Sequence, residues 1–367
     1  MADWRQTTVG DVMTLQRGFD ITKSQQNPGD VPVVSSGGIS SFHDTAMVSS
    51  PGVVMGRKGT LGKVFYLDRD YWPHDTTLWV KDFKGNDPRF VYYFLGTLNF
   101  LGMDVGSSNP TLNRNHVHPV PIVWPSLPVQ QFISGILGAL DEKIAVNERI
   151  TATADELALT LASSERWEKR IRLGEIAALS KVQQVPQEMS DDLVDHYSLP
   201  AFDAGKAPER CSPLSIKSGK FVVDSPAVLL SKLNPEIPRV WDVVPDNSVP
   251  SLASTEFLVL VPGLELSTHD LWSVVAQRKF LEVLASKVTG TSKSHQRVRP
   301  AEVLETEVVD PREFREVGVQ IRDLAQSILV ARRESKTLAT LRDTLLPQLM
   351  SGRIRVKDAE KIVEDHV

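Results

Sequence analysis

"VGVQIRDLAQSILVARRESKTLATLRDTL" occupies residues 317–345. Val317, Ile321, Leu324, Ile328, Ala331, Leu338, Leu341 and Leu345 recur in steps of three and four, with Ser335 as the one polar break. A narrow apolar stripe sustained over four heptads is the pattern of a coiled-coil seam. It has too little apolar width for a helix lying on a globular core, so it needs a partner helix. The chain offers one at 129–161, with Val129, Ile133, Ile136, Leu140, Ile144, Ile150, Ala154, Leu157 and Leu161. Pro125 and Pro311 stand ahead of the two stripes at an offset of 186, and Glu148 and Glu334 align at the same offset. A proline at a helix start costs little, because its missing N–H has no helical partner there. The second helix can zip to the first only by running back along it, so the pair is expected to be antiparallel.

The segments that the helices separate read differently. Runs such as "GVVMG" (52–56), "KVFYL" (63–67), "TTLWVKDF" (76–83), "FVVDSPAVLLS" (221–231) and "EFLVLVPG" (256–263) are β-rich and broken by Gly, Pro, Asn and Asp. Each segment has one short helix candidate, 88–101 and 269–285. Trp4 leads to "TVGDV" and Trp167 leads to "RLGEI"; both segments reach a small-residue, basic loop late, at 105–119 and 288–300. The order is β-rich domain, helix, β-rich domain, helix, with an offset that drifts from about 163 to 186 as loop insertions would make it. This is an internal repeat. The fold class is therefore α+β: a first β-rich domain over 1–124, a helix over 125–164, a second β-rich domain over 165–310, a helix over 311–350 and a tail over 351–367. "RIRL" (170–173) opens the second domain, and "RIRV" (353–356) restarts that phrase in the tail. Pro347 and Gly352 supply a stop and a turn, so the tail is expected to return to the first domain and add a strand there.

A chain of 367 residues with 41% hydrophobic and 24% charged residues has material for more than one core. "MADWRQTTVGD" has neither a basic start nor an apolar stretch, and no run approaches the ~20 residues of a membrane span, so a cytoplasmic protein is expected. Cys211 is the only cysteine, which excludes an intrachain disulfide. Net charge is −5, and residues 1–128 carry 11 basic and 11 acidic side chains. Any nucleic-acid contact must come from local clusters or share its electrostatics with a partner.

Local clusters exist. "GRKGTLGK" (56–63) sets Gly56, Arg57, Lys58 and Lys63 in a glycine-rich turn. It fails the phosphate-binding spacing G-x-x-x-x-G-K-[ST], because Lys63 is followed by Val64. The late loops carry Asn113, Arg114, His116 and His118 in one domain, and Lys293, Ser294, His295, Gln296, Arg297 and Arg299 in the other. Such side chains reach phosphates and base edges. A helix of ~34 residues is ~50 Å long, matching ~15 base pairs of duplex. Two unlike heads joined by such helices suit an asymmetric, two-part DNA target, as dimeric readers suit palindromes. Catalysis finds little support. "NPTL" (109–112) lacks the third and fourth residues of an Asn-Pro-Pro-aromatic methyltransferase motif. "ESK" (334–336) lies mid-helix as an ordinary surface pair. The eight histidines and one cysteine show no metal-ligand spacing.

"GRKGTLGKVFYL" (56–67), "WPHDTTLWV" (72–80) and "SSGGISSFHDT" (35–45) resemble the core of a target-recognition domain of type I restriction–modification specificity (S) subunits. "LPVQQFISGILGALDEKIAVNERI" (127–150) and "TLRDTLLPQLMSGRIRV" (340–356) are similar to that family's two conserved helical regions. The second domain has "LSKLNPEI" (230–237) in place of a glycine-rich turn, so Lys232 stands where Arg57 and Lys58 stand in the first. The resemblance implies a non-catalytic subunit that binds bipartite double-stranded DNA. It implies two modification subunits that methylate adenine with S-adenosylmethionine, and restriction subunits that translocate and cleave DNA. No cofactor is expected in this chain. The competing readings are a coiled-coil spacer presenting two protein-binding domains, and a nuclease or methyltransferase fused to a recognition module.

Overall fold

The computed structural model describes residues 4–100, 111–163, 166–245, 247–288 and 296–364. It divides into two compact units, Met1–Asn147 with Glu334–Val367, and Glu148–Arg333.

The first unit opens with β1 (Trp4–Thr8), the short helix α1 (Val9–Val12) and β2 (Thr14–Arg17). There follow β3 (Val31–Ser35), β4 (Gly38–His43), β5 (Gly52–Gly56), β6 (Val64–Leu67), β7 (Trp72–Pro73) and β8 (Thr77–Asp82). After these come α2 (Pro88–Thr97), α3 (Arg114–Val117), β9 (Pro121–Pro125) and the long helix α4 (Leu127–Leu161). An antiparallel sheet runs β2-β8-β5-β6, a smaller one runs β4-β3-β7, and β1 pairs with β9. Successive side chains of a strand point to opposite faces, and both faces of this sheet are covered. Val53, Met55, Leu78 and Val80 enter the main core with Phe90 and Phe94 of α2, while Val54 and Trp79 join Val34 and Tyr71 on the other face. That is why "GVVMG" is buried throughout although its residues alternate.

The second unit repeats the plan. Its elements are β10 (Arg170–Arg172), α5 (Leu173–Ile176), β11 (Ala177–Ser180), β12 (Gln183–Gln184), β13 (Val194–Tyr197), α6 (Leu199–Asp203), β14 (Glu209–Cys211) and β15 (Lys220–Val222). They continue as β16 (Ala227–Ser231), β17 (Val240–Val243), β18 (Ser251–Ala253), β19 (Phe257–Pro262), α7 (Thr268–Val275), α8 (Arg278–Ser286), α9 (Pro300–Leu304) and β20 (Glu307–Val309). The sheet β11-β19-β16-β17 has the strand order of β2-β8-β5-β6, and β10 pairs with β20 as β1 pairs with β9. A parallel strand pair in each unit also corresponds, β13 with β18 and β3 with β7. Val228, Leu230, Leu258 and Leu260 face one core and Leu229 and Val259 the other, the same two-faced burial. The repeat visible in the sequence is a repeat of topology.

The remaining helices are α10 (Arg315–Met350) and α11 (Val356–Glu364). In the first unit Asp141 of α4 meets Arg342 of α10 at 2.7 Å, and Lys143 and Asn147 meet Glu334 at 3.4 and 2.7 Å. Numbers rise along one helix as they fall along the other, so the pairing is antiparallel. In the second unit Asp155 meets Arg332 at 3.4 Å, and Ala158 and Ala162 share a core with Ile321. Each head is tied to the helix that follows it. The Tyr93 hydroxyl of α2 donates to Asp141 at 2.5 Å, and Arg322 of α10 donates to Asp270 of α7 at 3.3 Å.

The seam differs from the expected one in phase. Ile150 and Leu157 are 45% and 46% exposed, whereas Asn147 is 3% exposed and Ala154, Ala158 and Ala162 are buried. The strict heptad track runs through Ile133, Leu137, Leu140, Ile144, Asn147, Thr151, Ala154 and Ala158. Two polar residues, Asn147 and Thr151, sit on that track, and the large apolar side chain between them, Ile150, lies off it. The tail also differs. Residues 351–355 form no strand; Gly352 takes φ +66° at a turn and Val356 begins α11. Ala359 is buried in the first unit's core, with Ile354, Ile362 and Val363 packed against it. The place of "RIRL" is already filled there by β1, which holds β9.

A buried seam Asn fixes register, because any slip strands its amide. Asn147 Nδ2 donates to Glu334 Oε2, so Asn147→Asp sets two carboxylates together. It is expected to destabilise the chain by about 1–3 kcal/mol, read as a lower midpoint in thermal unfolding at pH 7. An unchanged midpoint contradicts this role.

Candidate nucleic-acid interface

The glycine-rich turn joins β5 to β6. The Gly56 N–H donates to Lys63 O and the Gly62 N–H to Gly56 O, closing the loop on itself. Gly59 and Gly62 take φ +77° and +71°, where a side chain is strained. At Gly56 a Cβ would stand 1.9 Å from Thr60 O, so only glycine lets the loop cross so closely. Lys58 and Lys63 are exposed, and Lys63 Nζ lies 5.3 Å from the Phe65 ring centroid.

Three distant segments meet at the base of this loop. The backbone N–H groups of Arg57 and Lys58 both donate to Thr76 O, just ahead of β8, at 2.9 and 3.1 Å. The Leu112 N–H, from the late loop, donates to Arg57 O at 2.9 Å, and Lys58 bridges Thr111. The Ser36 N–H, at the β3–β4 turn, donates to Thr76 Oγ1. The structure thus brings the turn and the late loop of the first unit together. Arg57 Nη1 donates to Asp75 O at 3.3 Å, and Arg17, from the end of β2, reaches the Asp75 carboxylate at 2.7 Å. Burial and the neighbouring Arg17 charge both lower the Arg57 pKa. Burial works against the Asp75 charge, but the Arg17 hydrogen bond and the charges of His74, Arg17 and Lys58 outweigh it and hold Asp75 below the usual carboxylate range.

In the late loop Asn113 caps α3 by accepting from the Asn115 N–H at 3.0 Å, and Asn113, Arg114 and His116 are exposed. His118 is committed to the fold. Its Nε2 accepts the Leu15 N–H at 3.0 Å, and burial with the Arg114 and Lys84 charges lowers its pKa.

The second unit builds the same node. The Lys232 N–H donates to Glu256 O at 3.0 Å, ahead of β19, and the Val298 N–H donates to Lys232 O at 3.1 Å. The Asn234 N–H donates to Gln296 O, and Leu233 bridges Arg297 as Lys58 bridges Thr111. Backbone pairing therefore sets Lys232 where Arg57 stands and Leu233 where Lys58 stands, without a glycine-rich turn. Arg297 grips Glu256 through Nε and Nη2 at 3.1 and 2.9 Å, which holds Glu256 below the usual range. Arg299 is exposed at the start of α9. Lys293, Ser294 and His295 lie outside the described residues.

Arg17, Asp75 and Glu256 escape sequence reasoning. Arg17 and Asp75 are 58 positions apart, and Glu256 and Arg297 are 41 apart, so only the sheet brings each pair together. Among the described residues no group of three or more His, Cys, Asp or Glu could hold a metal ion, and no helix is long and apolar enough to cross a membrane.

A family model for the type I restriction modification DNA specificity domain matches residues 1–155. The type I restriction–modification S subunit from M. genitalium is similar over 95% of this chain and 96% of its own, at 16% identity and a TM-score of 0.58. The chain shares the fold of that S subunit, and the match to the specificity-domain model covers residues 1–155 of 367. The HsdS subunit from Thermoanaerobacter tengcongensis aligns over 96% of this chain and 97% of its own at 16% identity, with a TM-score of 0.35. No curated protein matches the chain. The matched residues contain the whole first node. The match ends inside α4, and the second node follows from topology instead.

The domain's glycine turn provides a check. Gly56→Ala must displace backbone at Thr60 and is expected to lower the thermal midpoint by several degrees. Gly37→Ala, where a Cβ meets nothing within 4 Å, is expected to leave it unchanged. Equal midpoints for the two variants would contradict the packing described.

Proposed function

We propose that the chain is the specificity subunit of a type I restriction–modification complex and is not itself catalytic. Its two heads read the two halves of an asymmetric duplex target, and the paired helices set the length of the unread gap. One observation supports this best: the two units share a backbone node, yet dress it differently. Arg57, Lys58 and Lys63 furnish one node and Lys232, Arg297 and Arg299 the other. A common scaffold with unlike side chains is what two different half-sites require.

Modification subunits, which would carry S-adenosylmethionine and methylate adenine, and restriction subunits are the proposed partners. Net charge supports the division of labour. At −5 the chain has little general attraction for phosphate, so partners must supply the sequence-independent share of affinity.

Selection from a pool of randomised duplexes tests the proposal. The chain alone is expected to bind weakly, with an affinity that falls steeply as salt rises. Together with its modification subunit it should bind tightly and enrich a two-part sequence. Equal affinity with and without that subunit, or no enriched sequence in the complex, would overturn it.

A further inference from the structure

Each node contains a carboxylate, and affinity for DNA does not explain it. Asp75 stands beside Arg17, His74, Arg57 and Lys58, with His74 Nδ1 3.1 Å from its Oδ1; Glu256 stands beside Lys232 and Arg297. A carboxylate on a surface that approaches phosphates repels them. A partly exposed ion pair contributes roughly 0–1 kcal/mol to stability, so folding gives little reason for the group either. The two stand one position apart in the same pre-strand segment: Glu256, like Thr76, directly precedes its strand and accepts the node N–H through its carbonyl, and Asp75 is one residue earlier. Both are accessible, with side chains 14% and 27% exposed.

Base edges supply the missing reason. In the major groove only cytosine N4 and adenine N6 present donors, while guanine and thymine present acceptors there. An ionised carboxylate accepts from the first two and is repelled by the others. Its arginine keeps it ionised and oriented. The two pairs differ in build. Arg17 reaches Asp75 from a strand end through one nitrogen, whereas Arg297 grips Glu256 from the late loop through two. That difference suits two unlike half-sites.

We infer that Asp75 and Glu256 are specificity-determining residues. Each accepts a hydrogen bond from the exocyclic amino group of a cytosine or adenine in its own half of the target, and Arg17 and Arg297 are positioning residues. The inference rests on the proposed reading of bipartite DNA and goes beyond it by naming the groups that discriminate and the base chemistry they take.

The test is base-by-base selection from randomised duplexes by the full chain with its modification subunit, comparing wild type with Asp75→Asn and Glu256→Gln. Both replacements keep shape and remove charge. Asp75→Asn is expected to lose discrimination, on the order of tenfold, at one position of one half-site where wild type demands cytosine or adenine. Glu256→Gln should do the same in the other half only. Arg17→Gln and Arg297→Gln leave the carboxylates in place and should weaken preference at the same positions, which keeps the test decisive if an amide variant folds poorly. Unchanged preference at every position with tighter binding to all duplexes would overturn the inference, leaving the carboxylates as mere moderators of charge. Loss of preference spread evenly over both halves would overturn it too. A wild-type complex that enriches no sequence would sink the proposed function and this inference with it.

Discussion

The structure depends on two long helices burying narrow stripes against each other. In each unit the apolar residues of both helices belong to the same core as the sheet, so each helix packs on its partner and on the head together. In the first unit Leu137, Leu140, Leu338, Leu345 and Leu349 fill the seam, and in the second Ala158, Ala162, Ile321 and Ile328 lie buried along it. Asn147 and Glu334 place a hydrogen bond in that seam, and such a pair selects one register where apolar contacts alone would tolerate several. Asp141, which receives both the Tyr93 hydroxyl and Arg342, carries the register into the first head. Asp270, gripped by Arg322, does so in the second.

Within each head the central strand is covered on both faces, which leaves its end as the place where backbone can be shaped for a ligand. Gly56 and Ser231 end corresponding strands, and the residues that follow are held by the same three-way backbone node. Because main chain builds the node, its side chains are free to differ. A repeated scaffold can then hold two unrelated recognition surfaces.

Much of this was legible in the sequence. The heptad stripes, the β-rich segments between them and the paired openings "TVGDV" and "RLGEI" predict the element order and the antiparallel helices. The stripe of α4 loses its phase at Asn147, because hydropathy skips a buried polar residue and moves to exposed Ile150. The tail reads as a strand because "RIRV" copies "RIRL". A four-residue match carries no information about whether the pairing edge is already occupied, and β1 occupies it. Among site residues, the glycine turn and late loop of the first unit stand out by composition, and the structure brings them together. His118 has the same composition signal but serves Leu15. Asp75 and Arg17 have no local signal, because their proximity is a property of sheet order.

The proposal with most at stake is that the paired helices space two independent readers. Inserting one heptad at matched points of α4 and α10 lengthens the pair by ~10 Å and keeps the seam in phase. Mapping methylated adenines in cells that carry this variant with its modification subunit tests the claim most directly. The account predicts both half-sites unchanged in sequence and separated by a longer run of arbitrary bases. An unchanged gap, or half-sites altered in sequence, would contradict it.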